Sequence, residues 1–279
     1  MEVIDGFTFF NEGDLLRIRL ETLKDVVDKF VLVECELTQT GSEKPLYFAK
    51  HKDEFSDFAR KIEHIIVSKA ECAPYLNKQW GIENFQRNCI SRYAGVQDAT
   101  NRVMISDLDE IPSVNAVTEA LARVSDNRGG VGIDMNWHLY FANLISADRQ
   151  WRGTVVARGG YKPQWLRGVR HKLTGVSGGW HFSAFGGLEA MRKKYLACVE
   201  PFDKNLVADA ETVIERSLSK DGKFVHPDDN HNTPTMNMQL SHDTALPDYL
   251  SSHRTRYAHL FLENLDVLRS TFKNQVREI

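Results

Sequence analysis

The sequence is short of the features that would place it in several large classes. Its four cysteines, Cys35, Cys72, Cys89 and Cys198, include no CxxC pair. That excludes a zinc ribbon or a dense disulfide framework and fits a reducing compartment. Eight prolines and 18 glycines are scattered and build no linker or low-complexity tract. Nothing recurs at a period of about 20–50 residues, so a solenoid is not expected. No apolar run approaches the ~20 residues of a membrane span. The opening MEVIDGFTFF lacks the basic flank of a signal peptide. Charge of one sign is lacking too: 35 Lys+Arg stand against 38 Asp+Glu, a net −3 across 279 residues. Such a balance supplies no basic field for nucleic acid. The expectation is a soluble cytoplasmic protein folded as one continuous domain over residues 1–279.

What is present is alternation. Gly6–Phe10, Phe30–Cys35, Lys61–Ser68, Arg102–Ser106 and Gly130–Trp137 read as strands, several of them continuous apolar runs of the kind buried parallel strands show. Between them Asp14–Lys29, Trp80–Val96 and Val114–Val124 read as helices by apolar spacing. This order predicts an α/β fold with a mixed, mostly parallel sheet and helices on both faces. In such sheets ligands bind beyond the carboxyl ends of the strands. The second half is less regular. Gly153–Ser183 reads as short strands joined by loops, Leu188–Cys198 and Ala208–Ser219 as helices, and Lys223–His242 as a surface loop with irregularly spaced histidines. A last helix is expected around Leu246–Leu265.

The sharpest motif is Val103-Met104-Ile105-Ser106-Asp107-Leu108-Asp109-Glu110-Ile111-Pro112. A hydrophobic strand delivers two carboxylates, one residue apart, to a sheet edge. Hard oxygen ligands from one or two carboxylates, completed by water and phosphate, suit Mg²⁺ or Mn²⁺ on a diphosphate. The plainer reading is an acidic turn before a helix capped by Ser113. Two enzyme classes use the arrangement: nucleotide-sugar transferases, and haloacid-dehalogenase-like phosphohydrolases with Asp107 as nucleophile, Asp228 and Asp229 then standing for distal acids. A non-catalytic nucleotide- or carbohydrate-binding module is a third possibility. About a hundred residues of βαβ pattern precede the motif, which favours the transferase, because the phosphohydrolase motif sits on the first strand.

The whole pattern is similar to a known family. The blocks run in order: Asp5-Gly6-Phe7-Thr8-Phe9-Phe10-Asn11-Glu12-Gly13-Asp14-Leu15-Leu16-Arg17-Ile18-Arg19-Leu20, Val27-Asp28-Lys29-Phe30-Val31-Leu32-Val33-Glu34, and Thr40-Gly41-Ser42-Glu43-Lys44-Pro45-Leu46. Then come Glu83-Asn84-Phe85-Gln86-Arg87-Asn88, Ser106-Asp107-Leu108-Asp109-Glu110-Ile111-Pro112-Ser113 and Gly179-Trp180-His181-Phe182-Ser183. Across roughly residues 4 to 200 this set resembles glycosyltransferase family 17. The resemblance implies a GT-A fold and an inverting, metal-dependent transfer to a glycan hydroxyl from a nucleoside-diphosphate sugar, UDP-GlcNAc in the best-known members. It also implies a division into a nucleotide-sugar half (1–112), an acceptor-side half (113–245) and a C-terminal helix (246–279). The Golgi members carry a membrane anchor and stem, whereas this sequence begins at the catalytic blocks, so a bacterial or viral relative is expected.

Within that frame Asn11, Glu12 and Glu34 are expected at the base and ribose, although Glu12 also suits a helix N-terminus and Glu34 a buried salt bridge. Arg87 and Asn88 precede the acidic strand. Arg87 either pairs with Glu83 at i−4 or reaches the diphosphate or an aspartate with its planar fork. Arg167 and Arg170 form either a phosphate clamp or a solvated basic loop. In Ser177-Gly178-Gly179-Trp180-His181, Trp180 offers a flat face to a sugar, and the glycines let backbone approach a ligand closely. His181 is a candidate third metal ligand beside Asp107 and Asp109, or a base. Glu189, Glu110 and Asp134 are the carboxylates considered as general base. The expected cofactors are Mn²⁺ or Mg²⁺ and a UDP-sugar, and the expected partner is a glycan acceptor.

Overall fold

Seven residues, VIDGFTF, with Phe7 and Phe9 alternating about Thr8 at the end, form β1, Val3–Phe9. It enters α1, Gly13–Leu23, whose Leu15, Leu16, Ile18, Leu20 and Leu23 are buried. The helix stops short of Lys29. The Val26 and Val27 N–H groups both return to the Leu23 carbonyl, at 3.0 and 2.9 Å, and swing the chain into β2, Lys29–Cys35. After α2 (Tyr47–His51) come β3 (Ile62–Val67) and α3 (Lys69–Cys72). Ser68 and Glu71 form a reciprocal capping box at the start of α3. A computed structural model describes residues 1–124, 129–186, 190, 193–194, 196–198, 223–224, 236–241 and 245–263.

The helix expected over Trp80–Val96 is broken. It begins at Gly81 after a left-handed Trp80 (φ 60°) and runs as α4, Gly81–Asn88. A 3₁₀ turn at Cys89–Arg92 follows, and Tyr93 is extended before α5, Ala94–Gln97. Tyr93 leaves the helical path to pack on the core and to donate its hydroxyl to Glu2 at 3.3 Å. β4 (Arg102–Asp107), β5 (Glu110–Pro112), α6 (Val114–Arg123) and β6 (Val131–Leu139) then follow, close to expectation. The region expected to hold only short strands contains a 15-residue strand, β7 (Leu144–Arg158), a helix, α7 (Pro163–Val169), and β8 (Thr174–Ser183). Pro163 at the first helical position was the signal for α7.

The chain forms two compact units. The first comprises residues 1–135, 151–181 and 247–249. Its mixed α/β sheet has the order β3-β2-β1-β4-β7-β6-β8-β5. β1 is parallel to β2 and to β4, and β2 is parallel to β3. β7 runs antiparallel to β4, and β5 antiparallel to β8. This is the mixed α/β arrangement expected from the alternation, and its parallel strands form a Rossmann-like half. Connections leave β1 toward β2 on one side and return at β4 on the other, so the crevice lies beyond the carboxyl ends of β1 and β4. The register Thr8↔Asp107 and Phe9↔Glu34 brings the segments after β1, β2 and β4 to that one edge. Beneath it a core of Ile4, Val31, Val33, Val103, Ile105 and Val155 is fully excluded from solvent or within one percent of it.

The second unit comprises residues 136–150, 182–246 and 250–279. Here β10 (Met236–Leu240) pairs antiparallel with the start of β7 and with β9 (Lys223–Phe224). Asn143 anchors the chain near its end, accepting from Leu262 N–H at 2.9 Å and donating to the Leu262 carbonyl at 2.7 Å. The long C-terminal helix expected from Leu246 is instead one short helix, α8 (Asp248–Ser252), followed by turns and a 3₁₀ turn at Ala258–Leu260. The polar run Ser251-Ser252-His253-Arg254-Thr255-Arg256 has no apolar stripe to bury, which ends the helix early. Of the helix expected over Leu188–Cys198, the described residues 190, 193–194 and 196–197 are helical, whereas the helix expected over Ala208–Ser219 lies outside the described residues, as does most of the 223–242 segment with Asp228 and Asp229. Among the described residues no helix is long and apolar enough to cross a membrane.

Candidate active site

β4 ends at Asp107 and β5 starts at Glu110, so the two-residue turn Leu108-Asp109 presents the acids at the crevice. Arg19, fully buried on α1, holds that turn from below. Its Nη1 donates to the carbonyl oxygens of Asp107, Leu108 and Glu110 at 3.1, 3.1 and 2.9 Å. Its Nη2 donates to Ser106 Oγ at 2.5 Å and to Asp5 Oδ1 at 2.7 Å, and its Nε donates to Asp5 Oδ2 at 2.8 Å. A guanidinium therefore satisfies three carbonyls that a tight turn would otherwise leave buried without donors.

Asp107 is gripped on both oxygens. Arg87 Nη2 donates to Oδ1 at 2.7 Å, and Arg167 Nη2 to Oδ2 at 2.6 Å. Arg87 also donates to Glu83 Oε1 and to Gln164 Oε1, each at 2.5 Å, so the i−4 pair with Glu83 exists but is buried and extends to the aspartate. Its buried Nε has no hydrogen-bond acceptor among the described residues. Arg167 donates to Glu110 with both terminal nitrogens, at 2.8 and 2.6 Å, and to the Gly153 carbonyl at 2.8 Å. Burial opposes both guanidinium charges, but Asp107 with Glu83, and Asp107 with Glu110, outweigh it and raise both pKa values. Burial pushes Glu83 above the usual carboxylate range, with Arg87 pulling the other way.

Glu110 is fully buried. Besides Arg167 it accepts from Trp151 Nε1 at 2.6 Å and from the Asp107 N–H at 2.9 Å. The β5–β8 register sets Glu110 opposite His181 and Ile111 opposite Trp180. Trp151 stacks on His181, with ring centroids 4.7 Å apart and planes 22° apart. His181 Nε2 lies 3.9 Å from Asp109 Oδ1, and both side chains are more than nine-tenths buried. Gly153 is glycine for a local reason: a Cβ there would stand 2.8 Å from the Glu110 carboxyl carbon. The glycines before Trp180 admit protein backbone: a Cβ on Gly179 would meet the Ile111 carbonyl at 2.5 Å.

The remaining candidates divide. Glu12 accepts its neighbour Asn11's N–H at 3.0 Å, just after β1. Glu34 is fully buried and accepts from the Phe48 N–H at 2.9 Å, with His64 Nε2 at 3.1 Å, so it secures the first turn of α2. Asn88 accepts from the Gln164 N–H at 3.1 Å, joining α4 to α7. Arg170 donates to the backbone carbonyls of Arg152 and Arg167, and burial lowers its pKa. Asp134 is paired with Arg152 through two bonds of 2.7 and 2.6 Å. Glu189 lies outside the described residues. Sequence reasoning missed Arg19, Trp151 and Gln164, the side chains that hold the acidic turn and its neighbours in place.

Among the described residues no three His, Cys, Asp or Glu side chains form a complete metal shell. An ion at Asp109 and His181 would draw its other ligands from water and phosphate, as Mg²⁺ and Mn²⁺ do.

The family model for glycosyltransferase family 17 matches residues 1–194, a span that contains every one of these side chains. The chain belongs to glycosyltransferase family 17. A search of curated proteins returns no match. Family membership selects a sugar transferase, acting on a sugar donor and an acceptor, over a phosphohydrolase or a non-catalytic module.

Proposed function

We propose that this family 17 enzyme moves a sugar, GlcNAc by resemblance, from a nucleoside-diphosphate sugar to a glycan hydroxyl with inversion. The observation that carries the reading is the gathering of Asp107, Asp109, Glu110, Arg87, Arg167 and His181 at one strand edge. In this reading Asp109 and His181 would hold Mn²⁺ or Mg²⁺, which when bound would offset the charge growing on the departing diphosphate. Asp107 braces Arg87 and Arg167 at the place where the diphosphate would lie. Arg19 fixes the turn, so Asp109 is presented without reorganisation. Asn11 and Glu12, after β1, are read as contacts to the nucleoside, and Trp180 as a face for the sugar.

The acceptor hydroxyl attacks the anomeric carbon from the face opposite the diphosphate, whose bond to that carbon breaks, and its proton passes to a carboxylate. Glu110 and Asp134 are each tied to a guanidinium. Glu189 is the base in this reading.

The test is hydrolysis and transfer with a panel of UDP-, GDP- and dTDP-sugars in Mn²⁺. UDP-sugar turnover that stops with chelator is expected. Release of inorganic phosphate from simple phosphoesters without sugar transfer would overturn it.

A further inference from the structure

Trp151 has no part in the chemistry above, yet it touches two residues of the site at once. It lies on β7 two residues before Gly153, and side chains two apart on a strand share a face. Both residues face Glu110. The indole Nε1–H donates to Glu110 Oε1 at 2.6 Å, and Gly153 leaves the room that this carboxylate fills. The carboxylate cannot drift, because Arg167 holds both its oxygens and the Asp107 N–H donates to Oε2. One end of the indole is therefore pinned to a fully buried, fully paired acid.

The ring of the same indole meets His181. The β5–β8 register sets His181 opposite Glu110, so Trp151 spans the pair, its N–H on one member and its ring parallel to the other at 4.7 Å and 22°. The Arg170 guanidinium stands 5.6 Å from the indole centroid and is tied to the Arg152 and Arg167 carbonyls, which limits how far the indole can tilt. The imidazole gains most from this. The outer torsion of a histidine is broad, so its ring plane has to be set by what surrounds it. Asp109 does not set it directly, since 3.9 Å from Oδ1 to Nε2 is beyond hydrogen-bond distance. A parallel ring does, because turning the imidazole would drive its edge into the indole.

We infer that Trp151 is a positioning residue: its indole, pinned to Glu110, fixes the plane of the His181 imidazole in which Nε2 faces Asp109. This role rests on the reading of Asp109 and His181 as protein ligands of the divalent cation. It makes the ring of Trp151, and not its N–H, the part that cation binding senses, and it links cation affinity to a strand that supplies no ligand. Residues that orient a metal ligand from behind are worth about 10–100-fold in metal affinity.

The experiment is calorimetry of Mn²⁺ alone, without nucleotide, on the wild type, Trp151→Phe, Trp151→Gln, His181→Ala and Trp151→Gln/His181→Ala, with unfolding followed so that binding is read on folded protein. Trp151→Phe keeps a ring and loses the N–H, whereas Trp151→Gln keeps an N–H for Glu110 and loses the ring. Trp151→Phe should bind Mn²⁺ nearly as the wild type does, and Trp151→Gln about tenfold more weakly. His181→Ala should itself be weakened, and adding Trp151→Gln to it should change nothing further, because the ring to be oriented is gone. Equal weakening by Trp151→Gln with and without His181 would make the indole a support of the turn and overturn the inference. A loss in Trp151→Phe as large as in His181→Ala would assign the effect to the Glu110 bond and overturn it as well, and this comparison stands even where Trp151→Gln does not fold. A wild type that binds no Mn²⁺, or a His181→Ala variant that binds it undiminished, would sink the ligand reading and this inference together. Weakened His181→Ala beside undiminished Trp151→Gln sinks this one alone.

Discussion

Arg19 and Asp5 form a two-pronged ion pair, 2.7 and 2.8 Å, in which neither side chain is exposed, and the same guanidinium carries the carbonyls of the acidic turn. Breaking a buried pair on one side leaves an uncompensated charge, at a cost of about 3–5 kcal/mol. Arg19→Leu should therefore lose that much stability in urea unfolding and most of its turnover. The double variant Asp5→Leu/Arg19→Leu separates two roles. Stability should recover in part, since no lone carboxylate remains, while turnover should not, since the turn carbonyls still lack their donor. Recovery of both would reduce Arg19 to a partner of Asp5.

Asp109 and His181 stand 3.9 Å apart, both more than nine-tenths buried, while both oxygens of Asp107 are taken by guanidiniums. The two aspartates should then respond differently. Asp109→Asn should abolish transfer and Mn²⁺ binding by calorimetry, with the circular dichroism of the fold unchanged. Asp107→Asn should chiefly loosen Arg87 and Arg167, raising the KM for donor while Mn²⁺ still binds. Normal turnover by Asp109→Asn with chelator present would remove the metal from the mechanism.

Much of this arrangement was legible in the sequence, and the rest was hidden for identifiable reasons. Parallel strands buried on both faces read as continuous apolar runs, so β2 and β4 stood out, and Asp107 marked the end of one. Arg19 did not stand out, because a charged residue on an amphipathic helix ordinarily faces water, and its partners lie up to 91 residues away. Arg167 was noticed as a basic residue, but its bonds to Asp107 and Glu110 span 60 and 57 residues and leave no local pattern. Trp151 sits in the polar run Ala147-Asp148-Arg149-Gln150, Trp151, Arg152, where nothing suggests that its indole bonds Glu110 and covers His181.

The Glu83 carboxyl supplies a pH signature. Burial raises its pKa from the ordinary 4.5, so the folded chain holds that proton more tightly than the unfolded chain does. Its contribution to stability is complete below the unfolded value and is lost as pH rises through the folded one. Glu83→Gln should remove this component. Urea midpoints compared between pH 4 and pH 7 should fall more for the wild type than for the variant. Parallel curves would show that the ion pair with Arg87 offsets the effect of burial.

Cysteine chemistry provides the last test. Cys35 and Cys72 are fully buried with their sulfurs 3.4 Å apart, and Cys89 shares the same core. Burial, and then the hydrogen bond with Cys35, push the Cys72 thiol up to about 12. Only the thiolate reacts, so Cys72 should be inert near neutral pH on both counts. Cys198 is half-exposed. A thiol reagent added to the native protein should modify Cys198 first, by mass spectrometry of the digest, while Cys35, Cys72 and Cys89 react only with the global unfolding transition. Early modification of Cys72 below that transition would mean that the β2–α3 contact opens on its own, and the carboxyl edge that carries Glu34 and Lys44 would then be far less rigid than its packing implies.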